Sequence, residues 1–248
     1  MQRFFTQPEN IKGDEIFIYG GDVNHMKQSL RMKIGEQLEV CDSAGMIYLC
    51  SIKEYLSEDH GKGSILQIEE KRQNDTELSS RITLFQGLPK SDKMELIIQK
   101  AVELGVYQIV PVSTARTIVK MDEKKNHKKV SRWNSISESA AKQSGRGIIP
   151  EVTEVMSFSE ALEYSKGLGM TLIPYELAKE MSETKGILKE ITPGEQIGVF
   201  IGPEGGFEQQ EVERAVEAGA HPITLGKRIL RTETAAITML SILMFELS

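Results

Sequence analysis

The sequence predicts an α/β protein in which a mostly parallel sheet is covered by helices and is preceded by a small β-barrel. Strand-like segments separated by glycines fill the first 70 or so residues, and strands then alternate with helices from about residue 82 onward. Such alternation is typical of parallel sheets, whose strands are joined by crossover helices. The polar segment 71–80 carries almost no large apolar residue, so we expect two domains, 1–72 and 73–248.

The barrel strands are predicted over 15–19, 37–41, 46–53 and 64–68, because these apolar segments are bounded by glycine-containing turns. One helix is expected among them. It has Asp22 as its N-cap and continues through Val23, Met26, Leu30 and Met32.

The second domain is predicted from the change of pattern after the polar segment. Strands are expected over 82–86, 107–112, 170–174, 196–201 and 222–225. Helices are expected over 93–104, 128–143, 158–164, 209–218 and from about 234 onward. The loops that follow the strands should then meet at one edge of the sheet, where parallel sheets bind their ligands.

The composition is that of a globular protein, with 40% hydrophobic and 27% charged residues in a chain of 248. No segment approaches the run of about 18 apolar residues that a membrane span requires. The N-terminus lacks the pattern of a signal peptide, so a cytoplasmic location is expected. The two cysteines, Cys41 and Cys50, have no companions at metal-ligand spacing, and neither a metal site nor a disulfide is expected.

The net charge of −6 is unevenly distributed. Basic and acidic residues number 9 and 14 in 1–80, 13 and 6 in 81–150, and 8 and 16 in 151–248. The central excess lies mainly in a basic segment, 116–146, which also holds the single tryptophan, Trp133. Basic runs are often only solvated surface, but this one also fits phosphate contacts with a folded RNA.

Three loops after predicted strands are candidates for the site: 174–176, 202–207 and 225–236. In the second, Gly202, Gly205 and Gly206 would allow positive φ and a close approach of the backbone to a ligand, while Pro203 stiffens the turn. Such a loop can hold a flat ring through backbone hydrogen bonds. The alternative is a tight strand-to-helix turn without a ligand.

The third loop leads into the last predicted helix. Thr232 or Thr234 could cap that helix, and Glu233 would lie favourably at its positive end. Arg231 opposes the charge of the same helix end, so a nearby ligand or anion explains it better. The alternative for Arg231 is a salt bridge with Glu204 or Glu233.

Several enzyme classes lose support because their motifs are missing from the sequence. There is no Gly-x-Gly-x-x-Gly turn after a first strand, no phosphate loop ending in Gly-Lys-Ser or Gly-Lys-Thr, and no Gly-x-Ser-x-Gly elbow. The four histidines show no pattern of a nucleophilic triad.

Four segments in order along the chain resemble the ribosomal RNA small subunit methyltransferase E family, of the knotted SPOUT class. They read KMELIIQKAVELGV at 93–106, AAKQSGR at 140–146, IGPEGG at 201–206 and LGKRILRTETAA at 225–236. The similarity extends over nearly the whole chain. It implies methylation of N3 of a uridine in the 16S ribosomal RNA of the 30S subunit, by a homodimer that uses S-adenosylmethionine.

The resemblance also implies a SPOUT fold with a C-terminal trefoil knot, preceded by a PUA-like β-barrel that binds RNA. In such enzymes the cofactor lies in the knot. The implied cofactor-binding residues are Pro174, Tyr175, Glu176, Ile201, Gly202, Pro203, Glu204, Gly205, Gly206, Leu225, Gly226, Ile229, Leu230, Thr234 and Ala235.

Methyl transfer to N3 requires loss of a proton, so we expect Arg231 to stabilise the developing negative charge. Glu204 and Glu233 are the candidate bases, although capping or cofactor-orienting roles suit them as well. A sulfonium is a good leaving group without a metal, and none is expected. The expected RNA-binding residues are Arg3, Arg31, Arg116, Lys124, Lys128, Arg132 and Arg146.

Two other functions are compatible with the sequence. One is a knotted transfer-RNA methyltransferase that modifies a ribose hydroxyl. The other is a ribosome-assembly factor that binds RNA without catalysis, but such a protein needs neither the glycine loop nor the segment 231–236.

Overall fold

The structure is a computed structural model that describes residues 1–42, 44–56, 63–90, 92–117, 123–176 and 180–248, without the side chains of 123–125. The chain divides into two compact units. The first comprises Met1–Glu77 and Ala141–Ile149, and the second comprises Leu78–Ala140 and Pro150–Ser248. The sequence placed the division between residues 72 and 73 and did not foresee that 141–149 belongs with the first unit.

The first unit is built on a six-stranded sheet, mostly antiparallel, with the order β1-β4-β5-β6-β3-β2. Among the strands described in this unit, only β1 and β4 pair in parallel. Its strands are β1 (Arg3–Phe5), β2 (Ile11–Lys12), β3 (Glu15–Tyr19), β4 (Gln37–Cys41), β5 (Met46–Tyr55) and β6 (Gly63–Gln73). The unit also contains a 3-10 turn (Pro8–Asn10), the short helix α1 (Gly21–Asn24), a π-helical turn (His25–Ser29) and the last residues, from Ala141, of the long helix α3 (Glu123–Ser144).

The sheet of the first unit curls around an apolar core. Register shifts between β5 and β6, at Leu49/Cys50 and Ile52/Glu54, bend these long strands. The core includes Phe4, Ile16, Leu38, Val40 and Leu66. Among the described residues the hydrogen-bonded order begins at β1 and ends at β2, so the structure contains a curled sheet where the sequence predicted a small β-barrel.

The predicted N-cap of the first helix is wrong. The helix begins at Gly21 after Gly20, and Asp22 lies inside its first turn without capping it. The carboxylate of Asp22 instead accepts a hydrogen bond of 2.7 Å from Lys142 Nζ. The side chain that the local sequence pattern assigned to the N-cap therefore forms an ion pair with a residue far away in the chain.

The second unit contains a seven-stranded sheet in which every pairing is parallel, as predicted. Its order is β10-β8-β7-β12-β11-β13, and β9 also pairs with β8. The strands are β7 (Arg81–Gly87), β8 (Gln108–Ser113), β9 (Glu151–Val152), β10 (Met156–Ser157), β11 (Met170–Pro174), β12 (Gln196–Ile201) and β13 (His221–Ile223). The helices are α2 (Lys93–Glu103), α3 (Glu123–Ser144), α4 (Phe158–Ser165), α5 (Met181–Glu190), α6 (Gln209–Glu217) and α7 (Thr232–Leu247).

The central strands are buried on both faces, which explains their continuous apolar sequences. In β12, residues 197–201 are all buried, and the ring of Phe200 stacks on that of Phe85 in β7 at 4.4 Å. The sequence missed α5, in which Thr184 is the only buried residue, and also missed β9 and β10, which have two residues each. Among the described residues, no helix is both long and apolar enough to cross a membrane.

Candidate active site

Three loops meet in a cleft of about 420 Å³ at the carboxyl ends of β11, β12 and β13. These strands are neighbours in the sheet, so their following loops lie side by side. All predicted cofactor residues except Thr234 line the cleft, namely Pro174, Tyr175, Glu176, Ile201, Gly202, Pro203, Glu204, Gly205, Gly206, Leu225, Gly226, Ile229, Leu230 and Ala235. The sequence analysis missed five further lining residues, although all lie in or beside the same loops: Phe207, Thr224, Lys227, Arg228 and Thr232.

The glycine loop after β12 differs from the prediction in its backbone conformation. Of its three glycines only Gly206 has a positive φ, of 68°. Gly202 is required for a different reason, because a Cβ there would lie 3.1 Å from the Cα and carbonyl carbon of Gly206. The expectation of positive φ at Gly202 and Gly205 was wrong, and at Gly202 the missing side chain lets the loop fold back on itself.

The loop before α7 is attached to the glycine loop through a buried hydroxyl. Thr232 Oγ1 donates a hydrogen bond of 2.6 Å to the Gly202 carbonyl and accepts one of 2.9 Å from Gln86 Nε2. The predicted capping by Thr232 or Thr234 is wrong, because Arg231 occupies the N-cap and makes no side-chain capping bond. Thr234 is exposed and lies outside the lining of the cleft.

The loop after β13 is supported by α5. Thr184 Oγ1 accepts a hydrogen bond of 2.9 Å from the backbone N–H of Thr224, and Thr224 Oγ1 accepts one of 3.2 Å from Gly226 N–H. Thr184 is buried although its helix is mostly polar. Thr184 therefore positions Thr224, which in turn holds Gly226, and nothing in the local sequence distinguishes Thr184 from a surface threonine.

Both candidate bases are bound by a single lysine at the start of α2. Lys93 Nζ lies 3.0 Å from Glu204 Oε1 and 3.6 Å from Glu233 Oε2. Burial opposes the ionisation of Glu204, but hydrogen bonds from Lys93 and from backbone N–H groups, including that of Lys90, outweigh burial, so the pKa of this carboxyl lies below its usual range. Glu204 is consequently a weaker proton acceptor than an ordinary glutamate.

Arg231 lies at the rim of the cleft, between the lining residues Leu230 and Thr232. It is exposed, and its guanidinium forms no ion pair or hydrogen bond with any residue that the structure describes. The alternative of a salt bridge to Glu204 or Glu233 is therefore not what the structure contains. Within the described part of the chain, the positive charge of Arg231 therefore has no counter-ion, at a position between two lining residues.

Two of the predicted RNA-binding arginines are buried in the first unit. Arg3 is 9% exposed; it binds Glu39 at 2.6 Å and donates hydrogen bonds to the carbonyls of Gly145 and Arg146. Arg146 is 4% exposed and donates from Nε to both carboxylate oxygens of Glu77, at 3.0 and 2.9 Å. Their guanidinium groups are occupied within the protein, so the expectation that they contact RNA has to be corrected.

The other predicted RNA contacts differ in their surroundings. Arg31 and Lys128 are exposed, whereas Arg132 is exposed but binds Glu95 at 2.8 Å. Arg116 donates a hydrogen bond of 2.6 Å to the Gly205 carbonyl. Lys124 was also expected to bind RNA, but its side chain lies outside the described residues. Trp133 is buried, and its ring is not available for an RNA base.

Comparison with known proteins supports the resemblance seen in the sequence. The protein-family model of an RNA methyltransferase domain matches residues 76–244, and that of an RNA methyltransferase PUA domain matches residues 18–60. Ribosomal RNA small subunit methyltransferase E of Bacillus subtilis (strain 168) is 36% identical over 252 residues, which cover 99% of this chain and 97% of that protein. The protein of the same name from Mesomycoplasma hyopneumoniae (strain 232) is 34% identical, covering 97% of this chain and 98% of its own.

A solved structure gives the same result. The crystal structure of ribosomal RNA small subunit methyltransferase E from Neisseria gonorrhoeae, bound to S-adenosyl methionine, matches with a TM-score of 0.83 and 32% identity. The match covers 99% of this chain and 97% of that one. With the fold, the PUA domain and full-length similarity in agreement, the chain belongs to the ribosomal RNA small subunit methyltransferase E family.

Proposed function

We propose that this protein transfers the methyl group of S-adenosylmethionine to N3 of a uridine in the 16S ribosomal RNA of the 30S subunit, as a cytoplasmic homodimer. The observation that carries the proposal concerns Arg231, which follows and precedes residues that line the cleft at the carboxyl edge of the parallel sheet and has no partner among the residues that the structure describes. Full-length membership in the family supports the choice of cofactor and of ribosomal RNA as substrate.

The cleft fits a nucleoside cofactor. Its volume of about 420 Å³ lies in the range usual for small-molecule sites. The loops 174–176, 201–206 and 225–230 would hold S-adenosylmethionine, and the glycine backbone offers N–H and C=O groups to a flat ring. When bound, the cofactor would supply the methyl group of a positively charged sulfonium. The sulfur would leave as a neutral thioether, which requires no metal.

Arg231 is the residue that we assign to the substrate. Loss of the N3 proton leaves negative charge on the uracil ring, and a guanidinium with no other partner can stabilise that charge and orient the ring. We assign orienting roles to Glu204 and Glu233, because Lys93 binds both carboxylates. The N3 proton passes to water at the mouth of the cleft.

The trefoil knot and the homodimer belong to the same proposal. The hydrogen bonds that link Thr232 to Gly202 and Gln86 hold the last helix against two strand ends, which is compatible with a threaded chain. In α7, Met239, Leu240 and Leu243 are buried, while Phe245 is 79% exposed and is available to a second copy. Of the RNA-binding residues, Arg31 and Lys128 stay in the proposal because their side chains are exposed.

The proposal is tested in two steps. Calorimetric titration of the purified protein with S-adenosylmethionine should show binding, and tritiated methyl groups should then be transferred to 30S subunits from a strain that lacks the modification. Mapping should place the label on N3 of a single uridine. Label on a ribose hydroxyl of transfer RNA would favour the other knotted enzyme class, and absence of binding at millimolar cofactor would favour a non-catalytic assembly factor.

A further inference from the structure

We infer that Lys93 is a positioning residue for methyl transfer: by binding Glu204 and Glu233 together, it keeps both carboxylates from pairing with Arg231 and leaves that guanidinium to the substrate. The inference rests on the proposed function and deepens it. It assigns a role to a residue outside the lining of the cleft.

Lys93 lies between the glycine loop after β12 and the start of α7. It is the first residue of α2, and its ammonium reaches Glu204 of the glycine loop at 3.0 Å and Glu233 in the first turn of α7 at 3.6 Å. Glu204 is held further by the backbone N–H of Lys90. One cation thus links the glycine loop to the helix that begins beside Arg231.

The charges around the start of α7 explain why this link matters. Glu233 is two residues from Arg231, and the side chains of Glu204 and Glu233 are only 26% and 16% exposed. Partly buried charges attract each other more strongly than fully solvated ones, because water and salt screen them less. Carboxylates released from Lys93 would therefore turn to Arg231, the nearest cation along the chain from Glu233.

An Arg231 that is paired with a carboxylate would be a poor stabiliser of a second anion. Its charge would already be compensated, and its donors would be occupied. Lys93 is compact and carries a single point charge, which suits it to bridge two carboxylates from one side. The expected consequence of losing Lys93 is a slower chemical step with little change in cofactor binding.

The test compares variants of the full-length protein by methyl transfer to unmodified 30S subunits and by calorimetric binding of S-adenosylmethionine. Lys93→Met keeps the length of the side chain and removes its charge. It should lower kcat by about tenfold, a coupling usual for residues of one ion-pair network. The Kd for S-adenosylmethionine should change by less than about twofold, because the effect of Lys93 is on the chemical step and not on cofactor binding. Lys93→Arg should restore most of kcat.

The decisive variant is the double substitution Lys93→Met with Glu233→Gln. If the carboxylate of Glu233 pairs with Arg231 once Lys93 is lost, then Glu233→Gln removes that pairing and should restore a large part of the lost kcat. A purely structural role of Lys93 predicts instead that the double variant is as slow as the single one, or slower. That outcome would overturn the inference, as would a wild-type kcat in Lys93→Met.

Two controls keep the result interpretable. Lys100→Met removes another lysine of α2, one that pairs with Glu103 at 2.8 Å, and it should leave kcat unchanged. If Lys93→Met does not fold, as judged by its thermal midpoint, Lys93→Gln serves in its place. A wild-type protein that transfers no methyl group would contradict the proposed function, whereas an active wild type with an unaffected Lys93 variant contradicts only this inference.

Discussion

The hydroxyl of Thr232 donates a hydrogen bond of 2.6 Å to the carbonyl oxygen of Gly202, 30 positions earlier in the chain. The same hydroxyl accepts from Gln86, at the end of the neighbouring strand β7. One buried side chain thus joins the glycine loop, the start of α7 and the central strand. Because Thr232 and Gly202 both line the cleft, this junction fixes two parts of its wall relative to each other.

We expect Thr232→Val to weaken binding of S-adenosylmethionine. Valine has nearly the same shape but removes the hydroxyl that donates to the Gly202 carbonyl, and it leaves Gln86 Nε2 only its hydrogen bond to the Gly87 carbonyl. The loss should lower the free energy of unfolding by about 2 kcal/mol. Calorimetry and urea denaturation measure the two effects. Thr232→Ser retains the hydroxyl and should behave like the wild type; equal losses in both variants would argue against the hydrogen bond.

Replacement of Arg231 should affect chemistry and spare cofactor binding. We expect Arg231→Ala to lower kcat by about 100-fold, the effect usual for removal of one group that stabilises a developing anion. The Kd for S-adenosylmethionine should stay near that of the wild type. Arg214→Ala, on the exposed side of α6, is the matched control and should keep full activity. Equal turnover in Arg231→Ala would remove this residue from the mechanism.

Gly202→Ala should reduce cofactor affinity. A Cβ at this position would lie 3.1 Å from the backbone of Gly206, so the glycine loop would have to open. Gly186→Ala in α5 provides the contrast, because a Cβ there meets nothing within 4 Å. That control should raise the free energy of unfolding by about 0.5 to 1 kcal/mol, through the helix propensity of alanine. If cofactor binding is unchanged in Gly202→Ala, the loop does not hold the ligand closely.

Glu77→Ala should destabilise the first unit. Its partner Arg146 is 4% exposed and would be left as a buried charge without its main counter-ion, at a cost of about 3 kcal/mol. Glu163→Ala breaks an exposed pair with Lys166 and should cost less than about 0.5 kcal/mol. Denaturant unfolding of both variants measures the difference, and similar values would mean that the buried pair contributes no more than the exposed one.

The contribution of Glu77 to the free energy of unfolding should depend on pH. Burial opposes its ionisation, but hydrogen bonds and the charge of Arg146 prevail, so the pKa of this carboxyl lies below its usual range. A carboxyl of this kind stabilises the fold fully above its unfolded pKa, and the contribution is lost as pH falls through the lower folded pKa. The free energies of unfolding of the wild type and Glu77→Ala should therefore differ most at neutral pH, and the difference should shrink as the pH is lowered. A difference that stayed constant to low pH would contradict this.

Local sequence patterns predicted most of the second unit. The apolar runs of β7, β11 and β12 marked buried parallel strands, and loops after β11, β12 and β13 were correctly chosen as the place where residues converge. These predictions succeeded because periodicity and strand burial act over a few neighbouring residues. Elements with little apolar content, such as α5, or with only two residues, such as β9, left no such signal.

The partners of the charged side chains were decided by the tertiary structure alone. The sequence determined that Arg3, Arg146 and Arg231 are permanently charged, and it presented Arg3 and Arg146 as candidates for RNA contacts and Arg231 as the catalytic group. The fold buries the first two against Glu39 and Glu77 and leaves Arg231 unpaired among the described residues. Coulomb energy and desolvation depend on distances between residues that are far apart in the chain, and only folding sets those distances.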